Sequence, residues 1–125
     1  MSERLSKNFT VDELKCPCCG ECKMDAGFIT ILQSIRTDLG VRFSAVKGGG
    51  YRCASYNGST TGAHVEGKAI DPDLPREYYF RFMELGIKHG LTGIGVKNKG
   101  GKFQIHGDSA DQIDGKRPRP WIWTY

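Results

Sequence analysis

Two of the chain's three histidines stand close to aspartates, in "GAHVEGKAID" (62–71) and "FQIHGD" (103–108). The first stretch puts His64 seven positions ahead of Asp71, and the second carries His106. Two neutral imidazoles and one carboxylate are a donor set that a catalytic zinc takes while keeping a fourth position open for water or substrate. Such a site carries a net charge of about +1, so the metal can still polarise a carbonyl and bring its water's pKa toward ~7. Spacing alone is equally compatible with satisfied polar side chains in a loop that runs into a strand.

The cysteines raise a second question of metal chemistry. "CPCCGEC" places Cys16, Cys18, Cys19 and Cys22 within one short stretch, and Cys53 directly follows Arg52. Cys16-x2-Cys19-Gly has the form of half a zinc knuckle, and Cys19-x2-Cys22 repeats the spacing. Five thiols cannot all pair as disulfides within one chain. The leading expectation is a structural metal held by some of Cys16, Cys18, Cys19, Cys22 and Cys53; free thiols or disulfides formed after release are the alternatives. Such a metal would staple the N-terminal segment to the loop carrying Arg52.

These side chains need a scaffold, and 125 residues suffice for one domain with a single core. Residues 1–24 form its N-terminal segment. Hydrophobic residues make up 38% and charged residues 26%, as in a globular rather than a disordered chain. Seventeen glycines point to a turn-rich α+β fold and away from a helical bundle. Thr10 and Glu13 in "TVDEL" have capping-box spacing, which predicts a short helical turn.

In "DAGFITILQSIRTDLG", Phe28, Ile31, Leu32, Ile35 and Leu39 recur at helical spacing before Gly40. Pro75 and Gly90 bracket a second helix, "PREYYFRFMELGIKHG". "VRFSAV" (with Val41, Phe43 and Ala45 on one face), "KAIDPDL", "TGIGVK", "GKFQIHG" and "WIWTY" read as strands. "NKGG" reads as a hairpin turn, and 47–67 as a long functional loop. A small antiparallel sheet with two main helices is therefore expected. His89 reads as a structural partner of its helix C-terminus. Tyr78, Tyr79, Phe80 and Phe82 read as core and helix surface, and Trp121 and Trp123, on one face of the last strand, as packing residues or else as lining of the cleft.

"GGGYRCASYN", "GAHVEGKAID", "GLTGIGV" and "FQIHGD" occur in an order that resembles the zinc D-alanyl-D-alanine carboxypeptidases, above all their small phage and bacterial wall-peptidase branch. The family patterns are similar to S-G-Y-R-x-x-x-x-N, S-x-H-x-x-G-x-A-x-D, G-x-G-I-G and F-x-H-x-D, and the resemblance runs from about Phe9 to Trp123. It implies a hedgehog/D-Ala-D-Ala-peptidase-like fold, with zinc held by His64, Asp71 and His106. Arg52 would face the substrate, with Tyr51 beside it, since a guanidinium can grip a peptide carboxylate or carbonyl with paired hydrogen bonds. Asp108 would be either the general base or the partner that orients His106, with Glu66 a distant further candidate for the base.

Two features depart from the pattern. Phe103 stands where much of the family has an acidic residue, and Gly62 where a serine is usual. The activity implied is hydrolysis of D-amino-acid-containing peptide bonds of bacterial peptidoglycan, by a carboxypeptidase, an endopeptidase or a phage endolysin.

Two other readings stay open. One is a zinc-containing wall-binding module without catalysis, which Phe103 favours. The other is a zinc-knuckle nucleic-acid binder, suggested by "CPCCGEC", "GKRPRP" and a net charge of +4. That reading leaves the order His64–Asp71–His106 unexplained, so nucleic acid is not the expected partner. No apolar run approaches the ~20 residues of a membrane span, and "MSERLSKNFTVDEL" lacks the apolar core of a secretory signal. A monomer made in the cytoplasm is expected, acting on the wall after release or as part of a virion.

Overall fold

The computed structural model describes residues 3–125. Its centre is a hairpin of β2 (Gly93–Lys99) and β3 (Lys102–Asp108). Gly100 and Gly101 turn it with φ of 59° and 79°, the doubly positive pair that a two-residue turn demands, so β2 continues through Asn98 and Lys99, which "NKGG" had placed in the turn. β1 (Ala69–Ile70) lies antiparallel on the free edge of β3. β4 (Trp121–Thr124) lies on the free edge of β2 and runs parallel to it, in the order β1-β3-β2-β4.

The sheet is thus mixed, and the expected all-antiparallel sheet is corrected. β3 ends opposite Gly93, where β2 begins, and 109–120 delivers Trp121 to that same end. An antiparallel β4 would have had to start beside the hairpin turn. "VRFSAV" also departs from expectation: only Ala45 forms a bridge, to Pro72. The Val46 N–H on the Asp71 carbonyl and the Asp73 N–H on the Ser44 carbonyl close this bridge, and it goes no further because the Ser44 amide turns to the Asp73 side chain and the Asp71 amide to Gly49. Phe43 is nevertheless buried in the core.

The helices follow their end signals. The predicted capping box closes α1 (Val11–Leu14), with both Thr10–Glu13 bonds formed. Asp25 caps α2 (Ala26–Leu39) by accepting the Phe28 N–H, and Gly40 ends it at φ 70°. A short α3 (Ala54–Asn57) sits in the long loop. After Pro75, a 3-10 turn over Arg76–Tyr78 leads into α4 (Tyr79–His89), which Gly90 ends at φ 114°. His89 Nε2 meets Asp38 Oδ2 at 2.7 Å and so ties α4 to α2.

Strand alternation divides the sheet. Ile94, Ile105 and Gly107 face the helices, where Phe82 packs close over Gly107. Gly93, Gly95, Gln104 and His106 face the other side. A Cβ on Gly95 would lie 2.7 Å from the Trp123 indole, and one on Gly93 would collide with Asp108 and Arg119. The glycines of "TGIGVK" therefore clear the space that the functional side chains occupy. No helix among the described residues is long and apolar enough to cross a membrane.

Candidate metal centre

His64, Asp71 and His106 each offer a ligand atom, and these atoms all lie within 4.8 Å of one another. Their residues are only 8%, 2% and 9% exposed, so the group is set into the floor of a cleft. Tight local structure positions each one. His64 lies in the turn 62–67, where Gly67, at φ 71°, packs so tightly on the Lys23 carbonyl that a side chain would overlap it. Asp71 follows β1, held by its N–H to the Gly49 carbonyl at 2.8 Å. His106 sits within β3 opposite Gly95.

Hydrogen bonds fix which ring nitrogens face inward. His64 Nδ1 donates to the Gly50 carbonyl at 2.8 Å, which leaves Nε2 bare toward Asp71 Oδ2, 3.5 Å away. His106 Nε2 donates to Asp108 Oδ2 at 2.7 Å, and its Nδ1 faces Asp71 Oδ1 at 3.0 Å. Zinc–ligand bonds of ~2.0–2.1 Å in a tetrahedron set donors ~3.3 Å apart; here each histidine faces a different oxygen of Asp71, at 3.5 and 3.0 Å. Nitrogen and oxygen donors, fixed imidazoles and a buried carboxylate fit a divalent cation of this type.

The charges are mutually supporting. Burial alone would raise the Asp71 carboxyl, but hydrogen bonds and charge from His106 and His64 hold it well below the usual carboxylate range. Burial would lower His106, yet Asp108 and Asp71 raise it above its ordinary value. Arg52 adds a further cation, with Nη2 on Asp71 Oδ2 at 3.0 Å and Nε on the Gly48 carbonyl at 2.6 Å.

Asp108 lies behind His106 and away from the cleft. It is fully buried, and Arg119 grips it with Nε at 3.0 Å and Nη2 at 2.8 Å. Burial pushes its carboxyl up, but His106 and Arg119 bring it down to about 2. Of the two roles considered for Asp108, this placement favours orienting His106. Tyr51 is buried and does not line the cleft: along an extended 51–53, Arg52 faces the cleft while its neighbours turn inward. Glu66 pairs with Arg117 at 2.7 Å on the surface. Phe103 lies on the other face of β3 under Arg76, whose guanidinium carbon is 4.1 Å from the ring centre.

The cleft, about 440 Å³, also gathers residues the sequence reading had not singled out: Lys47, Lys97, Gln104 and Tyr125. Among its described lining residues, Asp71 carries the only carboxylate. Burial, followed by the nearby Asp71 charge, pushes Tyr125 up to about 12, so its hydroxyl stays a donor. Trp123 lines the cleft with its ring 5.4 Å from His106, and Trp121 is 54% exposed, so neither is the core-packing residue expected. Gln104 and Tyr125 were detectable by alternation, each two residues from a cleft residue. Arg119 was hidden in "GKRPRP", which read as a basic turn; its two inner arginines are both bound to the protein's own carboxylates.

Of the cysteines, Cys16, Cys19 and Cys53 converge and could also bind a metal. Cys22, packed against the hydrophobic core, is not part of this group. Comparison with protein-family models, curated proteins and solved structures finds no match to this chain.

Proposed function

We propose that the protein is a zinc-dependent peptidase that hydrolyses D-amino-acid-containing peptide bonds of bacterial peptidoglycan. The observation that carries the proposal is the convergence of His64 Nε2, His106 Nδ1 and the Asp71 carboxylate on the floor of a cleft edged by cations. Zinc bound there would supply Lewis acidity and a water of lowered pKa.

The chain's own groups supply the rest. Arg52 has N–H groups left over after binding Asp71 and Gly48, and these can take a peptide carboxylate or a polarised carbonyl oxygen. Lys47 and Lys97 draw an anionic peptide toward the cleft. Tyr125 and Gln104 offer neutral hydrogen bonds along its wall. Asp108 and Arg119 hold the His106 ring in place. The choice of wall peptides rests on the resemblance of "GGGYRC", "GAHVEGKAID" and "FQIHGD" to wall carboxypeptidases.

A second reading is a wall-binding module that keeps the metal without hydrolysing. It is favoured by the absence of any cleft carboxylate beyond Asp71 among the described residues, and by Phe103 at the position where a base is usual. Incubation of the zinc-loaded protein with purified peptidoglycan separates the two. New amino groups, lost in His64→Ala, support the peptidase; retention on the wall without new amines supports the binding module. Absence of both new amines and retention would overturn the wall assignment.

A further inference from the structure

We propose that Cys16, Cys18, Cys19 and Cys53 form a second metal site, a tetrathiolate zinc clip that fastens the N-terminal segment to the stretch carrying Arg52. The clip is independent of the peptidase reading, since it involves none of the cleft's donors.

The backbone around Cys16 is built as a thiolate cradle. Gly20, at φ 76°, reverses the chain, with its N–H on the Cys16 carbonyl at 2.9 Å and the Cys16 N–H on the Glu21 carbonyl at 2.8 Å. The Cys53 amide reaches the Cys16 sulfur from the other segment at 3.4 Å. An amide aimed at the sulfur stabilises negative charge there.

The sulfur spacing matches a metal. Zinc–sulfur bonds of ~2.3 Å in a tetrahedron put sulfurs ~3.8 Å apart, whereas a disulfide brings them to ~2.0 Å. Cys16 Sγ and Cys53 Sγ are 3.6 Å apart, and Cys19 Sγ lies within 4.8 Å of both. The choice of fourth ligand falls between Cys18 and Cys22. Cys18 is exposed and flanks Cys19 in the same turn, so a side-chain rotation brings it onto the metal. Cys22 is half-buried and packed against the core, which holds it outside the Cys16–Cys19–Cys53 group.

The clip bears on the cleft through the backbone. Beside it, the Tyr51 N–H bonds the Leu14 carbonyl at 2.8 Å, and Gly50 passes so close that a Cβ would lie 2.5 Å from that oxygen. Gly50 in turn holds His64, and Arg52 holds Asp71. Tightening 50–53 onto Cys16 therefore positions groups on both sides of the cleft floor.

The test uses the full chain, purified under reducing conditions and loaded with zinc or with cobalt(II). Wild type is expected to hold two metal equivalents and, with cobalt, to show the intense near-ultraviolet charge-transfer band of thiolate ligation. His64→Ala should lose the nitrogen–oxygen site and keep that band. Cys18→Ser should weaken the thiolate site ~10-fold or more, while Cys22→Ser leaves it unchanged.

Absence of the thiolate band in wild type would overturn the proposal, as would a Cys16–Cys53 disulfide found by mass spectrometry of the freshly purified protein. Dependence on Cys22 in place of Cys18 would overturn the ligand set. Because the wild-type spectrum decides whether the site exists, a variant that fails to fold leaves the test intact. Loss of hydrolysis with the band retained would count against the peptidase alone.

Discussion

Replacing Asp108 with asparagine probes the support behind the cleft. The carboxylate accepts from His106 Nε2 at 2.7 Å, from Arg119 at 3.0 and 2.8 Å, and from the Ala110 N–H at 3.2 Å. Asparagine keeps the shape but turns one oxygen into an N–H donor. If that amide nitrogen faces His106, two donors oppose each other, and the imidazole relieves them by moving its proton to Nδ1. Nδ1 is the atom aimed at Asp71, so the lone pair offered to a metal is lost. If it faces Arg119 instead, a nearly buried guanidinium loses part of its counter-charge.

The fall of the Asp108 carboxyl from 3.8 to about 2 corresponds to roughly 2 kcal/mol in favour of the charged form. With the strained arginine added, destabilisation of ~2–4 kcal/mol is expected. Zinc affinity at the His64–Asp71–His106 site should fall ~10–100-fold. Competition titration against a chromogenic chelator, after the thiols have taken their own equivalent, reads the affinity; urea unfolding reads the stability. Undiminished zinc affinity in Asp108→Asn would refute the claim that Asp108 sets the His106 tautomer, even if the variant were less stable.

Arg52→Lys keeps the charge but cannot reproduce the fork that spans Asp71, Gly48 and a substrate oxygen, so KM should rise ~10–100-fold with metal content unchanged; steady-state kinetics beside metal analysis check this. The pH dependence follows from His106, whose folded pKa lies above its ordinary 6.5 despite burial, through Asp108 and Asp71. Its protonated form stabilises the metal-free protein fully below 6.5, and that contribution disappears as pH rises through the folded value. Metal binding needs Nδ1 bare, so the rise in Tm on adding zinc should grow with pH across the same window, and a flat scan would contradict it. Gly67→Ala forces a side chain into left-handed backbone against the Lys23 carbonyl and should cost ~1–3 kcal/mol in urea unfolding. Gly100→Asn, with nothing near its added Cβ, should be neutral or stabilising by up to ~1 kcal/mol.

Much of the scaffold was legible because its signals are short-ranged. The Thr10–Glu13 box, the Asp25 and Gly40 ends of α2, the Pro75 entry to α4 and the Gly100–Gly101 turn each depend on a few consecutive residues. The histidines and Asp71 could be nominated as a donor set from their types and order. Other features left no local trace. β4 runs parallel to β2 because of where 109–120 delivers it, and "VRFSAV" pairs no further than its one bridge because the Ser44 amide goes to the Asp73 side chain and the Asp71 amide to Gly49.

Residue types and spacing alone thus determined the helix ends, the hairpin and the list of side chains capable of holding a metal. Only the tertiary structure decided which of them meet: Cys53 with Cys16 and Cys19 while Cys22 stays away, Arg119 with Asp108, Trp123 and Tyr125 beside His106. Backbone caps and turns are set by torsion preferences within a few residues. Convergence is set by sheet register and by the space that Gly50, Gly67, Gly93 and Gly95 leave open, and both depend on segments far apart in the chain.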